Sequence, residues 1–91
     1  MSSTEVKARI LVVEDQAPMR KFIRVALNTQ GFGVLEASKG QEALVMIATH
    51  NPEAVLLDLG LPDIDGLEVV RKVRQWSSIP IIVVSARGRE Q

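Results

Sequence analysis

The sequence predicts an α/β fold, a parallel β-sheet covered by helices, and three observations carry that expectation. Short uninterrupted apolar runs, Ile10-Leu11-Val12-Val13 and Ala54-Val55-Leu56-Leu57, have the pattern of strands buried on both faces. The segments between such runs carry helical spacing, so strands and helices alternate, which implies parallel strands with right-handed crossovers. Aromatic residues make up only 3% of the 91 residues, so the core is built from Val, Ile, Leu and Ala. That supply suits a helix-covered parallel sheet better than an aromatic-rich antiparallel one.

Each element has its own local reason. Residues 1–8 form a short leader, and residues 9–91 the single domain. After the first strand, Ile10 to Val13, Pro18 suits the first turn of a helix, where its missing N–H costs nothing. Met19, Phe22, Ile23, Ala26 and Leu27 follow the i, i+3, i+4, i+7, i+8 rule and form the apolar face. Arg20, Lys21 and Arg24 then read as a solvated face. Asn28 to Gly31 ends the helix, with Gly31 suited to left-handed capping geometry.

Val34 to Ala37 is a weaker second strand. Ser38 and Gln41 have the spacing of a capping box, and Ala43, Leu44, Ile47 and Ala48 line one face of the second helix, which Pro52 stops. Ala54 to Leu57 is the third strand. Leu67, Val70 and Val73 mark a third helix, with Arg71, Lys72 and Arg74 at the end where cations complement the dipole. Trp76 is expected to pack that helix against its exit loop. Ile79 to Val84 is a fourth strand, with Pro80 tolerable near its start.

Composition excludes several classes of function. Charged residues are 24% and the formal net charge is zero, so nothing suggests a basic nucleic-acid surface. The absence of cysteine rules out disulfides and thiolate metal sites. The start, Met1-Ser2-Ser3-Thr4-Glu5, is polar with no apolar signal core. No apolar stretch approaches the ~18 residues needed to cross a bilayer. A cytoplasmic protein without a membrane partner is the expectation.

The chemistry points to strand ends. Asp58 closes the third strand and enters the turn-rich stretch Leu59-Gly60-Leu61-Pro62-Asp63-Ile64-Asp65-Gly66, while Glu14-Asp15 closes the first. Open α/β sheets place their sites at the carboxyl ends of strands. Three carboxylates at one rim repel one another, which implies a bound cation or a basic side chain. An all-oxygen donor set favours Mg²⁺. A carboxylate beside that ion can attack phosphorus and form an aspartyl phosphate. Gly60 leaves the loop backbone uncrowded, Ser85 offers a hydroxyl at the end of the fourth strand, and Ala86 is small enough to leave access.

Plainer readings compete with each of these. Asp15 alone would serve as a cap for the helix entered through Pro18, and Ser85 alone as a loop hydroxyl. His50, the lone histidine, reads as a surface group at a helix C-terminus. Gly31-Phe32-Gly33 is no dinucleotide fingerprint, because it precedes a strand and lacks a third glycine.

Three blocks in order, Ile10-Leu11-Val12-Val13-Glu14-Asp15, Asp58 to Gly66, and Ile81-Ile82-Val83-Val84-Ser85-Ala86, resemble the receiver domain of bacterial two-component response regulators. Within that family the likeness is to the OmpR/PhoB class of winged-helix transcription factors, and to its regulators of potassium-uptake operons. It runs from about Ala8 to Arg87. The resemblance implies a flavodoxin-like (CheY-like) doubly wound sheet of order 2-1-3-4. It makes Asp58 the phosphoacceptor charged by a sensor histidine kinase. Glu14, Asp15, Asp58 and the backbone carbonyl of Gly60 hold Mg²⁺ in that scheme, Ser85 is the switch hydroxyl, and Ala86 leaves access to the phosphoryl group.

A complete receiver continues through a fourth helix, a fifth strand and a fifth helix, which this sequence does not contain. The expectation is a receiver truncated after its fourth strand, without the phosphate-pairing lysine and with impaired phosphorylation. DNA is a partner only through an output domain absent from this chain. A rival reading is an interaction fragment whose exposed strand edge favours a homodimer or a domain-swapped oligomer. A phosphatase of the haloacid dehalogenase type would want an aspartate two positions after the nucleophile, where this sequence has Gly60. The domain is therefore expected to be regulatory, not an enzyme acting on a separate substrate.

Overall fold

The computed structural model describes residues 7–84. Strands and helices alternate as β1 (Arg9–Val13), α1 (Ala17–Thr29), β2 (Gly33–Ala37), α2 (Gly40–His50), β3 (Ala54–Leu57), α3 (Gly66–Arg74) and β4 (Ile81–Val83). The strands form one sheet of order β2-β1-β3-β4, with every neighbouring pair parallel. This is the expected order.

Register sorts the side chains. Leu11 lies opposite Leu35 and Val55, Val13 opposite Ala37 and Leu57, and Val55 opposite Ile81. Alternation along each strand puts these residues on one face. Ala43 and Ile47 of α2 and Val69 and Val73 of α3 pack on that face to complete the core. Leu11, Val13, Val55, Leu57, Val69 and Val73 are fully buried there. Each such side chain is worth about 1.5–3 kcal/mol of burial.

The opposite face is less covered. Helix α1 lies over β1 and β2, where Ile10 and Val12 are buried. Ile82 and Val84 on the β4 side remain half exposed. The apolar face read for α1 is correspondingly only half used. Ile23 and Leu27 are half-buried and Ala26 is exposed, while Met19 and Phe22 are 47% and 69% exposed. Among the described residues no element covers these two.

Of the three helix starts, only that of α2 departs from the expected capping pair. Helix α1 begins after Gln16 with proline in its first turn, and Asp15 is not its cap. Helix α2 begins after Lys39, and the Ser38 amide donates to Glu42 Oε1 at 2.9 Å, so Glu42 and not Gln41 answers Ser38. Helix α3 is capped by Asp65, whose Oδ1 accepts from the Leu67 amide. Its buried stripe runs Gly66, Val69, Val73, with Leu67 exposed and Val70 half-buried. As expected, Gly31 ends α1 with a left-handed φ of +95°. Asn51 ends α2 in the same region at +48°, just before Pro52.

Strand β4 is shorter than the apolar run that predicts it, although the ladder reaches one residue beyond each end. The Val55 amide donates to the Pro80 carbonyl, and the Val84 amide to that of Leu57. Trp76 is 51% exposed, so it does not seal the α3 exit as expected. Among the described residues no helix is long and apolar enough to cross a membrane.

Candidate functional site

The ladder between β1 and β3 continues past both strands and sets the site. Val13 pairs with Leu57, and the Asp58 amide then donates to the Val13 carbonyl at 3.0 Å. On the other side of β1, the Glu14 amide donates to the Ala37 carbonyl at 3.0 Å. The residues that leave these strands therefore emerge at one rim. One carboxylate oxygen from each of Glu14, Asp15 and Asp58 lies within 4.8 Å of the others.

Burial sharpens the electrostatics. Asp58 is fully buried, Glu14 is 5% exposed and Asp15 is half-buried. Two ionised carboxylates about 5 Å apart repel by roughly 3 kcal/mol at an effective dielectric of ~20. A divalent cation among them would add an attraction to each carboxylate that outweighs these repulsions. The donors are all hard oxygens, and several come from carboxylates, which fits Mg²⁺.

Local hydrogen bonds hold the Asp58 and Glu14 side chains in place. The Gly60 amide donates to Asp58 Oδ1 at 3.0 Å, and the Gln16 amide to Glu14 Oε2 at 3.0 Å. The loop that follows Asp58 is closed by the Gly66 amide, which donates to the Leu59 carbonyl at 3.2 Å. A Cβ at Gly66 would lie 2.7 Å from Leu59 Cα and 3.1 Å from the Asp58 carbonyl oxygen. Only glycine permits that approach.

Two groups near the site were not evident from the sequence. Arg20 donates from Nη1 to the Glu14 carbonyl at 2.9 Å and from Nε to Glu36 Oε1 at 3.1 Å. Arg24 holds the other Glu36 oxygen, Oε2, at 3.1 Å. The reading of both arginines as a solvated face is thus corrected: they are tied to β2. Asp63 reaches back to α2, accepting from the Gly40 amide at 2.7 Å and the Gln41 amide at 2.9 Å. Nothing local in the sequence marks either role, because each partner lies on a different element.

Ser85 and Ala86 lie outside the described residues. His50 is exposed in the last turn of α2, with its Nδ1 2.8 Å from Thr49 Oγ1. Its carbonyl accepts from Arg9, which ties the end of α2 to the start of β1.

Comparison with known proteins agrees with this fold. The family model of the response regulator receiver domain matches residues 10–91. The chain is 49% identical over 81 residues to the KDP operon transcriptional regulatory protein KdpE of Escherichia coli, covering 89% of this chain and 36% of that protein. It is 42% identical over 78 residues to the transcriptional regulatory protein KdpE of Mycobacterium tuberculosis, covering 86% and 34%. The chain thus spans about a third of the length of these relatives. Among solved structures, a putative response regulator from Chloroflexus aurantiacus superposes with a TM-score of 0.85 at 31% identity, covering 91% of this chain and 70% of that one. The chemotaxis response regulator CheY4 of Vibrio cholerae gives 0.80 at 28% identity, covering 86% and 68%.

Proposed function

The chain belongs to the response regulator receiver domain family, and on that premise we propose that Asp58 is its phosphoacceptor, charged by a sensor histidine kinase with Mg²⁺ at the rim. The observation that carries this reading is the gathering of the Glu14, Asp15 and Asp58 carboxylates within 4.8 Å at the ends of β1 and β3.

Glu14, Asp15, Asp58 and the backbone carbonyl of Gly60 would hold the ion. When bound, Mg²⁺ supplies charge neutralisation on the transferring group. An Asp58 carboxylate oxygen attacks phosphorus. The O–P bond forms as the P–N bond to the kinase imidazole breaks, and the electron pair leaves with the ring nitrogen, which takes up a proton. The Gly60 amide fixes the rotation of the Asp58 carboxylate, and burial limits competing water at that side chain. Ser85 would donate its hydroxyl to the phosphoryl group, and Ala86 would leave the approach open.

By likeness to KdpE, the output is transcriptional control, and potassium-uptake genes are the proposed target, reached through a DNA-binding domain. A cytoplasmic location follows from a kinase partner of this kind.

Intact mass after incubation with Mg²⁺ and acetyl phosphate tests the assignment. One phosphoryl adduct is expected on the chain and none on Asp58→Asn. A folded chain that gains no adduct, or an equal adduct on the variant, overturns it.

A second reading rests on β4. Ile82, Val83 and Val84 are each about half exposed, and among the described residues β4 pairs on one side only. Apolar strand edges of this kind pair between copies. Light scattering at high concentration decides: a dimer supports that surface, and a clean monomer removes it.

A further inference from the structure

We propose that Arg20 is a positioning residue for the acidic rim, one that orients Asp15 toward the cation by gripping the peptide unit before it. This inference rests on the Mg²⁺ site proposed above and adds a residue that touches neither metal nor phosphoryl group.

The argument starts from the peptide plane. The Glu14 carbonyl and the Asp15 amide belong to one rigid unit, so holding the carbonyl sets the direction in which the Asp15 Cα leaves it. Arg20 Nη1 holds that carbonyl at 2.9 Å. The arginine is itself held, because its Nε bonds Glu36 Oε1 at 3.1 Å while Arg24 takes Glu36 Oε2. Glu36 precedes Ala37 on β2, and the Ala37 carbonyl accepts the Glu14 amide at 3.0 Å. Both backbone polar groups of Glu14 are thus anchored, one directly to β2 and one through Arg20 and Glu36.

The chemistry requires arginine. A planar guanidinium donates along fixed directions to two acceptors at once, whereas a lysine ammonium on a flexible stem does not reproduce that fork. With its side chain only 23% exposed, Arg20 is more enclosed than a freely solvated helix residue.

Charge and position predict opposite signs, which makes the idea decidable. Removing a positive charge beside a cation site strengthens cation binding by Coulomb's law. Removing a group that orients a metal ligand weakens it, typically about 10–100-fold for outer-shell partners.

The experiment is calorimetric titration of the full chain with Mg²⁺, comparing the wild type with Arg20→Met, Arg20→Lys and Lys21→Met. Loss of about 10-fold or more in affinity is expected for both Arg20 variants. Lys21→Met, which removes the same charge from an exposed position of the same helix, should bind as well as the wild type or slightly better. Unchanged or tighter binding by Arg20→Met overturns the proposal. If that variant fails to fold by circular dichroism, Arg20→Lys, with its charge retained, decides by the same criterion.

Amide hydrogen exchange at Asp15 and Gln16 in metal-free protein gives a second readout. Faster exchange in the Arg20 variants supports the grip, and unchanged exchange overturns it. A wild type that binds no Mg²⁺ at all sinks the metal site itself, and the exchange data then still decide the role of Arg20.

Discussion

Asp63 caps a helix that begins 23 residues before it, its Oδ1 accepting the Gly40 amide at 2.7 Å. Its second oxygen takes the Gln41 amide at 2.9 Å, so one carboxylate from the loop after Asp58 occupies two orphan donors of α2. The loop that shapes the candidate site is thereby clamped to α2, and changes at Asp63 should report on both.

Hydrogen bonding by the Gln41 amide, foremost, holds the Asp63 carboxyl below its ordinary value of 3.8 against the opposing effect of desolvation, with the Gly40, Ile64 and Asp63 amides adding to the lowering. Because its folded-state pKa is depressed, the stability it supplies is complete above that ordinary value and is lost as pH falls through the lower folded one. Thermal melts at neutral pH should show Asp63→Ala melting below the wild type and Asp63→Asn lying between them, since Asn still caps. Repeated well below the folded pKa, the melts of wild type and Asp63→Ala should converge. A gap that does not narrow rules out an ionised cap.

Gly66→Ala places a methyl group 2.7 Å from a backbone atom of Leu59 and 3.1 Å from the Asp58 carbonyl oxygen. Backbone cannot swing aside as a side chain does. Urea unfolding should show a loss of about 1–3 kcal/mol, the usual cost of overpacking. Mg²⁺ affinity should fall with it, because Leu59 and Asp58 are adjacent. A variant as stable as the wild type would mean that the loop yields freely.

Leu57→Ala and Phe22→Ala form a contrasting pair. Leu57 is fully buried under α2 and α3, so its truncation should cost about 2–5 kcal/mol. Phe22, 69% exposed, should change stability by no more than about 0.5 kcal/mol. Denaturant midpoints check both values, and a large loss at Phe22 would show that α1 uses its whole apolar face.

Mg²⁺ should stabilise the chain in proportion to its occupancy of the rim. At a hundred times its Kd, a ligand specific to the folded state adds about 2.7 kcal/mol. The rise in Tm should vanish with a chelator and be much smaller in Asp15→Asn. An equal rise in that variant would remove Asp15 from the metal site.

The carboxylates of the rim were legible because the signal is local and the topology completes it. An apolar run ending in an acidic residue marks Glu14, Asp15 and Asp58, and adjacency of β1 and β3 is what the resemblance to receiver domains implies. What escaped the sequence depends on partners far along the chain. Arg20 looks like any polar helix residue until Glu36 on β2 is placed beside it. Asp63 looks like a turn residue until α2 arrives. The residues that mark α3 place the helix but not its whole buried stripe, since Leu67 is exposed and Gly66, a buried position, carries no apolar side chain to signal a face. Met19 and Phe22 satisfied the helical period, yet periodicity reports what a helix offers and not what is present to cover it.

The continued ladder from Val13 to Asp58 also has a kinetic consequence. Glu14 and Asp15 meet Asp58 only when β3 docks beside β1, so at the proposed Mg²⁺ site the folding chain would acquire its cation affinity at that event. Mg²⁺ that accelerates refolding would place this docking before the rate-limiting barrier. Mg²⁺ that only retards unfolding would place it after. The carboxylates thus time-stamp the assembly of the sheet, and a stopped-flow chevron with and without the ion would read the stamp.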